Sequence, residues 1–288
     1  SKTVARQSGI DMLEYRRLAK HFVWNTLGTF NPDLLVVDTF PSGSFDELFQ
    51  ILDGPFKKGL VLREVKSSYA ERPTFRAALR LYDTIVVPAD QAAVDRMQLP
   101  STLRPRPVGK VLQMDRGELI ARQAARAQLG VDEGTPLIYL SAGGGGDPTT
   151  ESTLKTLIQT LLEKTDAQVL VGAGPLYRGP RYPDSTGRVI WWTAPGLAKL
   201  MGAFDAAVSA AGYNSFHELM LARVPTVFYA QEKVADDQAR RIDAAVAQGA
   251  ALRADSNAPE SILSAVRELL ERPAEIAENC PKIVDENH

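Results

Sequence analysis

Residues 204–238 read FDAAVSAAGYNSFHELMLARVPTVFYAQEKVADDQ, and the order of elements in that stretch decides the fold. Asp205 to Ala210 is a short run of small and apolar residues, the pattern of a buried strand. Ala211-Gly212-Tyr213-Asn214 breaks the run. Ser215 then opens a segment with Phe216, Leu219 and Met220 at helical spacing, and Pro225 ends it. Thr226 to Tyr229, rich in β-branched and aromatic residues, is a second strand. Strand, glycine turn, helix start and strand make half of a parallel α/β unit, and ligands of such sheets bind at the carboxyl ends of the strands. Amides left free at a helix start favour an anion there by about 0.3–1 kcal/mol, more when partly buried.

The same residues admit a purely local reading. Ser215-Phe216-His217-Glu218 fits the S-x-x-E capping box, in which Ser215 and Glu218 satisfy only the helix's own orphan donors. A cap needs neither the Gly-Tyr-Asn ahead of it nor Asp236-Asp237-Gln238 beyond the next strand. Both polar sets emerge on one edge of the sheet, because successive parallel strands end on the same side.

On these residues, SAAGYNSFHELMLARVPTVFYAQEKVADDQARR resembles the donor-binding signature of GT-B glycosyltransferases. It is most similar to the family of the peptidoglycan lipid-intermediate N-acetylglucosaminyltransferase and to predicted bacterial glycosyltransferases with an AGYN[ST]-x-x-E motif. The resemblance implies an α/β protein with two Rossmann-like parallel-sheet lobes. It implies that Gly212, Asn214 and Ser215 hold the donor diphosphate, Glu218 the ribose hydroxyls, and Asp237 with Gln238 the donor sugar. His217 departs from the family, which often has a small or apolar residue there, and Asp237 stands where its best-known member has Gln.

Working back from that stretch, Leu137 to Ser141 is a strand followed by Ala142-Gly143-Gly144-Gly145-Gly146-Asp147. Thr149 or Thr150 then caps a helix to about Leu162. Glycines let a backbone approach a phosphate closely, although no Gly-Lys-Ser/Thr follows, so this is not a P-loop. Alone, four glycines equally suit a flexible turn. The resemblance places Gly143, Gly144 and Gly145 against the donor diphosphate, with Asp147 and Thr149 as weaker candidates. Gln168 to Val171 leads into Gly172-Ala173-Gly174-Pro175, which fails G-x-G-x-x-G and argues against a dinucleotide site. Val189 to Trp192 is a further strand. Adjacent strand residues face opposite ways, so one Trp can be core while the other borders a cleft, and the resemblance makes Trp192 and Thr193 the base-binding candidates. After Gln238, helices are expected from Arg240 to Gln248 and from Pro259 to Leu270, with a strand at Ala250–Leu252 between them.

In front of Pro136 the pattern is thinner. A helix is expected over Ile10–Phe30, strands at Leu34–Asp38, Gly59–Arg63 and Thr84–Val87, and helices at Phe45–Leu52, Pro73–Leu81 and Asp115–Leu129. Arg76 and Arg80, one turn apart, read mainly as a solvated face. Asp38 and Thr39 sit where a parallel strand meets its loop, and DTFPSG is similar to a D-x-F-P-x-G turn of the predicted glycosyltransferases. Asp38 is therefore a candidate base; otherwise it caps the following helix. The expected division is residues 1–107 as an acceptor-side lobe, 108–272 as the donor lobe, and 273–288 as a terminal helix packing back on the first lobe. The first lobe shows three strands against six in the second. It lacks the glycine turn and following His with which GT-B enzymes usually open, so it reads either as a naturally small lobe or as one whose front portion is absent. The histidines are His21, His217 and His288, and none matches a base.

With 44% hydrophobic and 24% charged residues and a net charge of −2, the composition is globular and gives no basic excess for nucleic acid. One cysteine, Cys280, excludes an internal disulfide and a cysteine-based zinc site. No apolar run approaches roughly 18 residues, so no transmembrane helix is expected. With no signal peptide visible at the start, the cytoplasm is the expected location, peripheral to the membrane if the acceptor is lipid-linked. The function expected is transfer of a sugar from a nucleoside-diphosphate donor, a UDP-sugar, to a small-molecule or lipid-linked acceptor, with inversion. No cofactor or metal is expected beyond that co-substrate. The alternatives are a UDP-sugar hydrolase or epimerase on the same lobe, or a nucleotide-binding subunit completed by a partner chain or a second copy.

Overall fold

The computed structural model describes Ala5 and residues 8–182, 185–255 and 258–284. The chain divides into two compact units. One comprises residues up to Val111 together with Val234–Asp237; the other runs from Leu112 to Lys233 and resumes at Gln238.

The first unit is built on a parallel sheet of order β1-β2-β3-β4, with β1 Leu34–Asp38, β2 Lys57–Val61, β3 Thr84–Val87 and the short β4 Arg106–Pro107. The fourth strand is an addition to the three expected; two residues containing a proline carry no strand period. α1, Met12–Phe30, is capped by Asp11, whose Oδ1 accepts the amides of Leu13 and Glu14, and ends on Asn31 in the left-handed region. Three short helices follow, α2 Ser67–Ala70, α3 Pro73–Leu79 and α4 Gln91–Arg96. Val37, Leu60, Leu62, Ile85 and Val87 from one face of the sheet pack with Phe75, Leu79 and Val94 of α3 and α4. Ala235 is buried in the same core, and its carbonyl accepts the Lys66 amide at 2.8 Å, which ties 234–237 to this unit.

The expected helix over Phe45–Leu52 does not form. Asp46 takes a φ of +60°, and the Glu47 carboxylate turns back to accept the amides of Ser44 and Phe45. Side chain–backbone bonds of this kind offer the chain an alternative to a helix, and only a 3₁₀ turn at Ile51–Asp53 remains.

The second unit carries a six-stranded parallel sheet of order β10-β9-β8-β5-β6-β7. Its strands are β5 Leu137–Ser141, β6 Gln168–Gly172, β7 Val189–Trp192, β8 Ala206–Ala210, β9 Thr226–Tyr229 and β10 Leu252–Arg253. All six were legible in the sequence. Along β5 the alternation is strict: Leu137 and Tyr139 enter one core, Ile138 and Leu140 the other. α5 Arg122–Leu129, α7 Tyr213–Leu221 and α8 Gln238–Ala247 cover the first of these faces; α6 Thr150–Lys164 and α9 Pro259–Glu271 cover the second. Arg126 of α5 is fully buried, donates to the carbonyls of Asp132, Thr135 and Ala203, and pairs with Asp205. A buried charge is tolerated when it is satisfied in this way.

One further expectation is corrected here. Asp115–Leu129 is not one helix: a 3₁₀ turn at Arg116–Glu118 precedes α5, and Glu118 accepts the Asp115 amide. The terminal segment, α10 Pro273–Asn279 with a 3₁₀ turn at Cys280–Lys282, is part of the second unit. Ile276, Cys280 and Val284 are buried in the second unit's two cores. Residues 285–288, including His288, lie outside the described residues.

Candidate functional site

In the six-stranded sheet β5 lies between β6 and β8, so the strand order reverses there. Such a reversal separates the loops leaving the two strands and opens a crevice at their carboxyl ends. The loop after β5 is Ala142–Asp147 and the turn after β8 is Ala211-Gly212. The two glycine motifs of the sequence therefore flank one switch point.

The glycines serve different ends. Gly143 and Gly145 have φ of +75° and +79°, and a Cβ on Gly145 would lie 2.4 Å from the Ala173 carbonyl oxygen. Both are demanded by the turn. Gly144 is exposed and a Cβ there would meet nothing within 4 Å. Gly212 has an ordinary φ of −62°, and again a Cβ would meet nothing within 4 Å. Nothing in the protein's own packing requires glycine at 212. Close approach by a bound molecule would.

α7 starts at Tyr213 with Gly212 as its N-cap, a residue with no side chain to bond the first-turn amides. The capping-box reading is thereby excluded, because Ser215 and Glu218 already stand inside the helix, past the cap. Asn214 is exposed and Ser215 partly exposed at that start. Glu218, one turn on, is only 9% exposed, and desolvation pushes its carboxyl up from the usual glutamate range. His217 is buried; its Nδ1 lies 2.7 Å from the Tyr213 carbonyl and must donate to it, and the ring packs 4.3 Å from that of Tyr213. It stitches the first turn together.

Residues that sequence reasoning missed hold these loops. Arg241 of α8 donates to the Ala211 carbonyl at 2.5 Å and lies over the rings of Tyr213 and Phe216, fixing the turn before α7. Gln231, in the loop after β9, donates Nε2 to the Ala142 carbonyl at 3.1 Å, and its amide donates to Gln238 Oε1 at 2.9 Å. Lys233 Nζ reaches Asp147 Oδ2 at 3.1 Å. Asp147 also accepts the amide and hydroxyl of Thr149 on its other oxygen. Burial pulls the Asp147 carboxyl up, but these bonds and Lys233 outweigh it and hold it below its ordinary value. The only sequence signal for Gln231 and Lys233 was their place in the loop after β9; Arg241, inside α8, had none.

The remaining candidates are dispersed. Gln238 is buried and occupied with the Gln231 amide. Asp237 falls in the 234–237 segment of the first unit, so the two members of the pair belong to different units. Trp191 and Trp192 point to opposite cores, as strand alternation requires. Trp191 stacks on Tyr177 at 5.8 Å; Trp192 packs on the α7 side and donates Nε1 to the Ala194 carbonyl, and Thr193 beside it is exposed. In the first unit Asp38 is exposed at the end of β1, bonded by the Thr39 hydroxyl at 2.8 Å and paired with Arg63 at 3.3 Å. It caps no helix. Thr39 has a φ of +64°, a costly conformation for a β-branched residue, and Arg63 Nε donates to its hydroxyl at 2.6 Å. Arg76 donates to the Ala70 carbonyl and Arg80 is exposed. Among the described residues no group of three His, Cys, Asp or Glu side chains is placed to hold a metal ion, and no helix is long and apolar enough to cross a membrane.

Solved structures match this architecture over nearly the whole chain. The fold is GT-B. The UDP-GlcNAc 2-epimerase from Neisseria meningitidis, bound to UDP-GlcNAc, is 15% identical with a TM-score of 0.65, covering 95% of this chain and 81% of its own. The spinosyn rhamnosyltransferase SpnG, complexed with thymidine diphosphate, is 14% identical at a TM-score of 0.62, covering 99% and 82%. Sucrose-phosphate synthase from Thermosynechococcus elongatus is 16% identical at 0.58, covering 92% and 73%. Most GT-B structures that this chain resembles are glycosyltransferases. No protein-family model and no curated protein matches the chain.

Proposed function

We propose that the second unit binds a nucleoside-diphosphate sugar, in particular a UDP-sugar, and that the protein is an inverting, metal-independent glycosyltransferase related to the peptidoglycan N-acetylglucosaminyltransferase family. The observation that carries this reading is Glu218, a carboxylate buried behind an uncapped helix start at the switch point. Burial raises its free energy, and a ribose diol donating two hydrogen bonds would repay that cost. The diphosphate lies at the amides of α7 and at Gly143–Gly145, and the base lies beside Trp192 and Thr193. Gln238, whose Oε1 holds the Gln231 amide, and its neighbour Asp237 are the candidates for the sugar. Preorganised amides and a helix start stabilise the leaving diphosphate as charge develops on it. Asp38, exposed beside Thr39 and Arg63, is the base that takes the proton of the acceptor hydroxyl. The resemblance to a UDP-GlcNAc 2-epimerase favours a second reading, in which the same donor site serves epimerisation or hydrolysis.

The test is calorimetric titration of UDP, dTDP, GDP and NAD into the protein, Glu218→Ala and Asp38→Asn, followed by turnover assays. Glu218→Ala is expected to weaken UDP binding by about 1.5–3 kcal/mol. Asp38→Asn is expected to bind UDP as the parent does and to lose turnover by about 10²-fold or more. Unchanged affinity in a folded Glu218→Ala would overturn the donor site. Release of free or epimerised sugar without any acceptor would replace transfer by the second reading.

A further inference from the structure

A nucleoside diphosphate brings at least two negative charges to the switch point, where the glycine loop and helix start offer only partial charges. Arg241 of α8 and Lys233 of the loop after β9 are cations bonded to the loops around it. Arg241 is committed: its Nη1 is bonded to the Ala211 carbonyl and its plane lies over two aromatic rings. Lys233 is differently placed. Its side chain is 34% exposed, and its ammonium is bonded to Asp147 at the end of the glycine-rich loop. Gln231, two residues before it, is bonded to the Ala142 carbonyl and lies 3.4 Å from where a Cβ of Gly143 would stand. The lysine stem is thus anchored beside the loop whose amides face the phosphates in the proposed function.

Asp147 is built to lose this partner without losing its own place. One oxygen serves the Thr149 amide and hydroxyl, and only the other receives Lys233. A partly exposed ion pair is a weak one, whereas an ammonium on a phosphate is a charge-assisted bond to a stronger anion. We propose that Lys233 is the cation that neutralises the donor diphosphate, and that Asp147 competes with the diphosphate for its ammonium, setting the affinity of the site. This rests on the donor reading above. The bland alternative is that the ion pair only ties two loops together.

The two accounts differ in sign at Asp147. The experiment is titration of UDP and of uridine into the protein, Lys233→Met, Lys233→Arg and Asp147→Asn, with thermal melting as the check on folding. Asn keeps an oxygen for the Thr149 bonds. Lys233→Met is expected to weaken UDP by about tenfold or more and to leave uridine unchanged, with Lys233→Arg retaining UDP. Asp147→Asn is expected to tighten UDP, again with uridine unchanged. Weakened UDP binding in both Lys233→Met and Asp147→Asn would establish the loop tie and overturn the proposal. Full UDP affinity in Lys233→Met would overturn it while leaving the donor site standing. Failure of the unaltered protein to bind any diphosphate would bring down both.

Discussion

The two parallel sheets of this protein are made of similar strands and are used differently. In the six-stranded sheet every residue of β5, β8 and β9 is buried, with helices on both faces. In the four-stranded sheet one face is core and the other is open. Leu34 and Val36 of β1 are 56% and 58% exposed. With Gly59, Val61, Thr84 and Val86 they line a shallow apolar groove of about 300 Å³. Parallel sheets are ordinarily covered on both sides. The strand orders differ too: β1-β2-β3-β4 is sequential, whereas β10-β9-β8-β5-β6-β7 reverses at β5. A reversal parts neighbouring loops; it occurs at β5 of the second sheet, where the glycine turn after β5 and the start of α7 flank it, and does not occur among the four strands of the first.

The sharpest way to break this contrast is to put a charge into each sheet. Val208→Asp in β8 buries an unpaired carboxylate and is expected to cost about 3–5 kcal/mol; Val36→Asp, on the open face of β1, should stay within about 0.5 kcal/mol. Urea unfolding measures both. A large loss at Val36 would mean that the open face is covered in solution.

Within the second unit the contrast is between glycines that the fold needs and one that it does not. Gly145→Ala meets a positive φ and a carbonyl oxygen, and is expected to destabilise by about 1–3 kcal/mol. Gly212→Ala should leave stability within about 0.5 kcal/mol and weaken UDP binding about tenfold. Melting and titration of the same two samples decide it; an unaltered affinity in Gly212→Ala would remove that turn from the site.

The smallest effect concerns Glu218. Its carboxyl is raised by burial, so the folded state holds this proton more tightly than the unfolded state. The stabilisation is complete below the ordinary glutamate range and is lost as pH rises through the raised value. Glu218→Gln should therefore be more stable than the parent at neutral pH, with the difference shrinking toward acid pH, while UDP binding weakens by no more than in Glu218→Ala. A variant less stable than the parent at neutral pH would show that Glu218 supports the fold rather than a ligand.

Much of this was legible beforehand in the second unit. Its strands are short apolar runs bounded by Gly and Pro, and a sheet buried on both faces writes itself as such runs. The first unit was harder to read. β4 is too short to show a period, and Phe45–Leu52 has helical spacing that Asp46 and Glu47 override by bonding the backbone locally. The Ser215–Glu218 pattern misled in the opposite direction: the motif is present, but the helix begins two residues earlier, at Tyr213, so the box has no cap to close.

The sequence by itself determined the alternation of strands and helices in the second unit and the glycine turns after β5 and β8, because these follow from local period and turn chemistry; the burial of Glu218 one turn into α7 came with the fold. The tertiary structure alone decided that the two turns flank one switch point, that Gln231 and Arg241 hold them, that Lys233 is shared with Asp147, and that Asp237 and Gln238 belong to different units. Those are pairings across as many as 89 positions of chain. Local spacing carries no record of them; they are set by which strand lies beside which in the sheet.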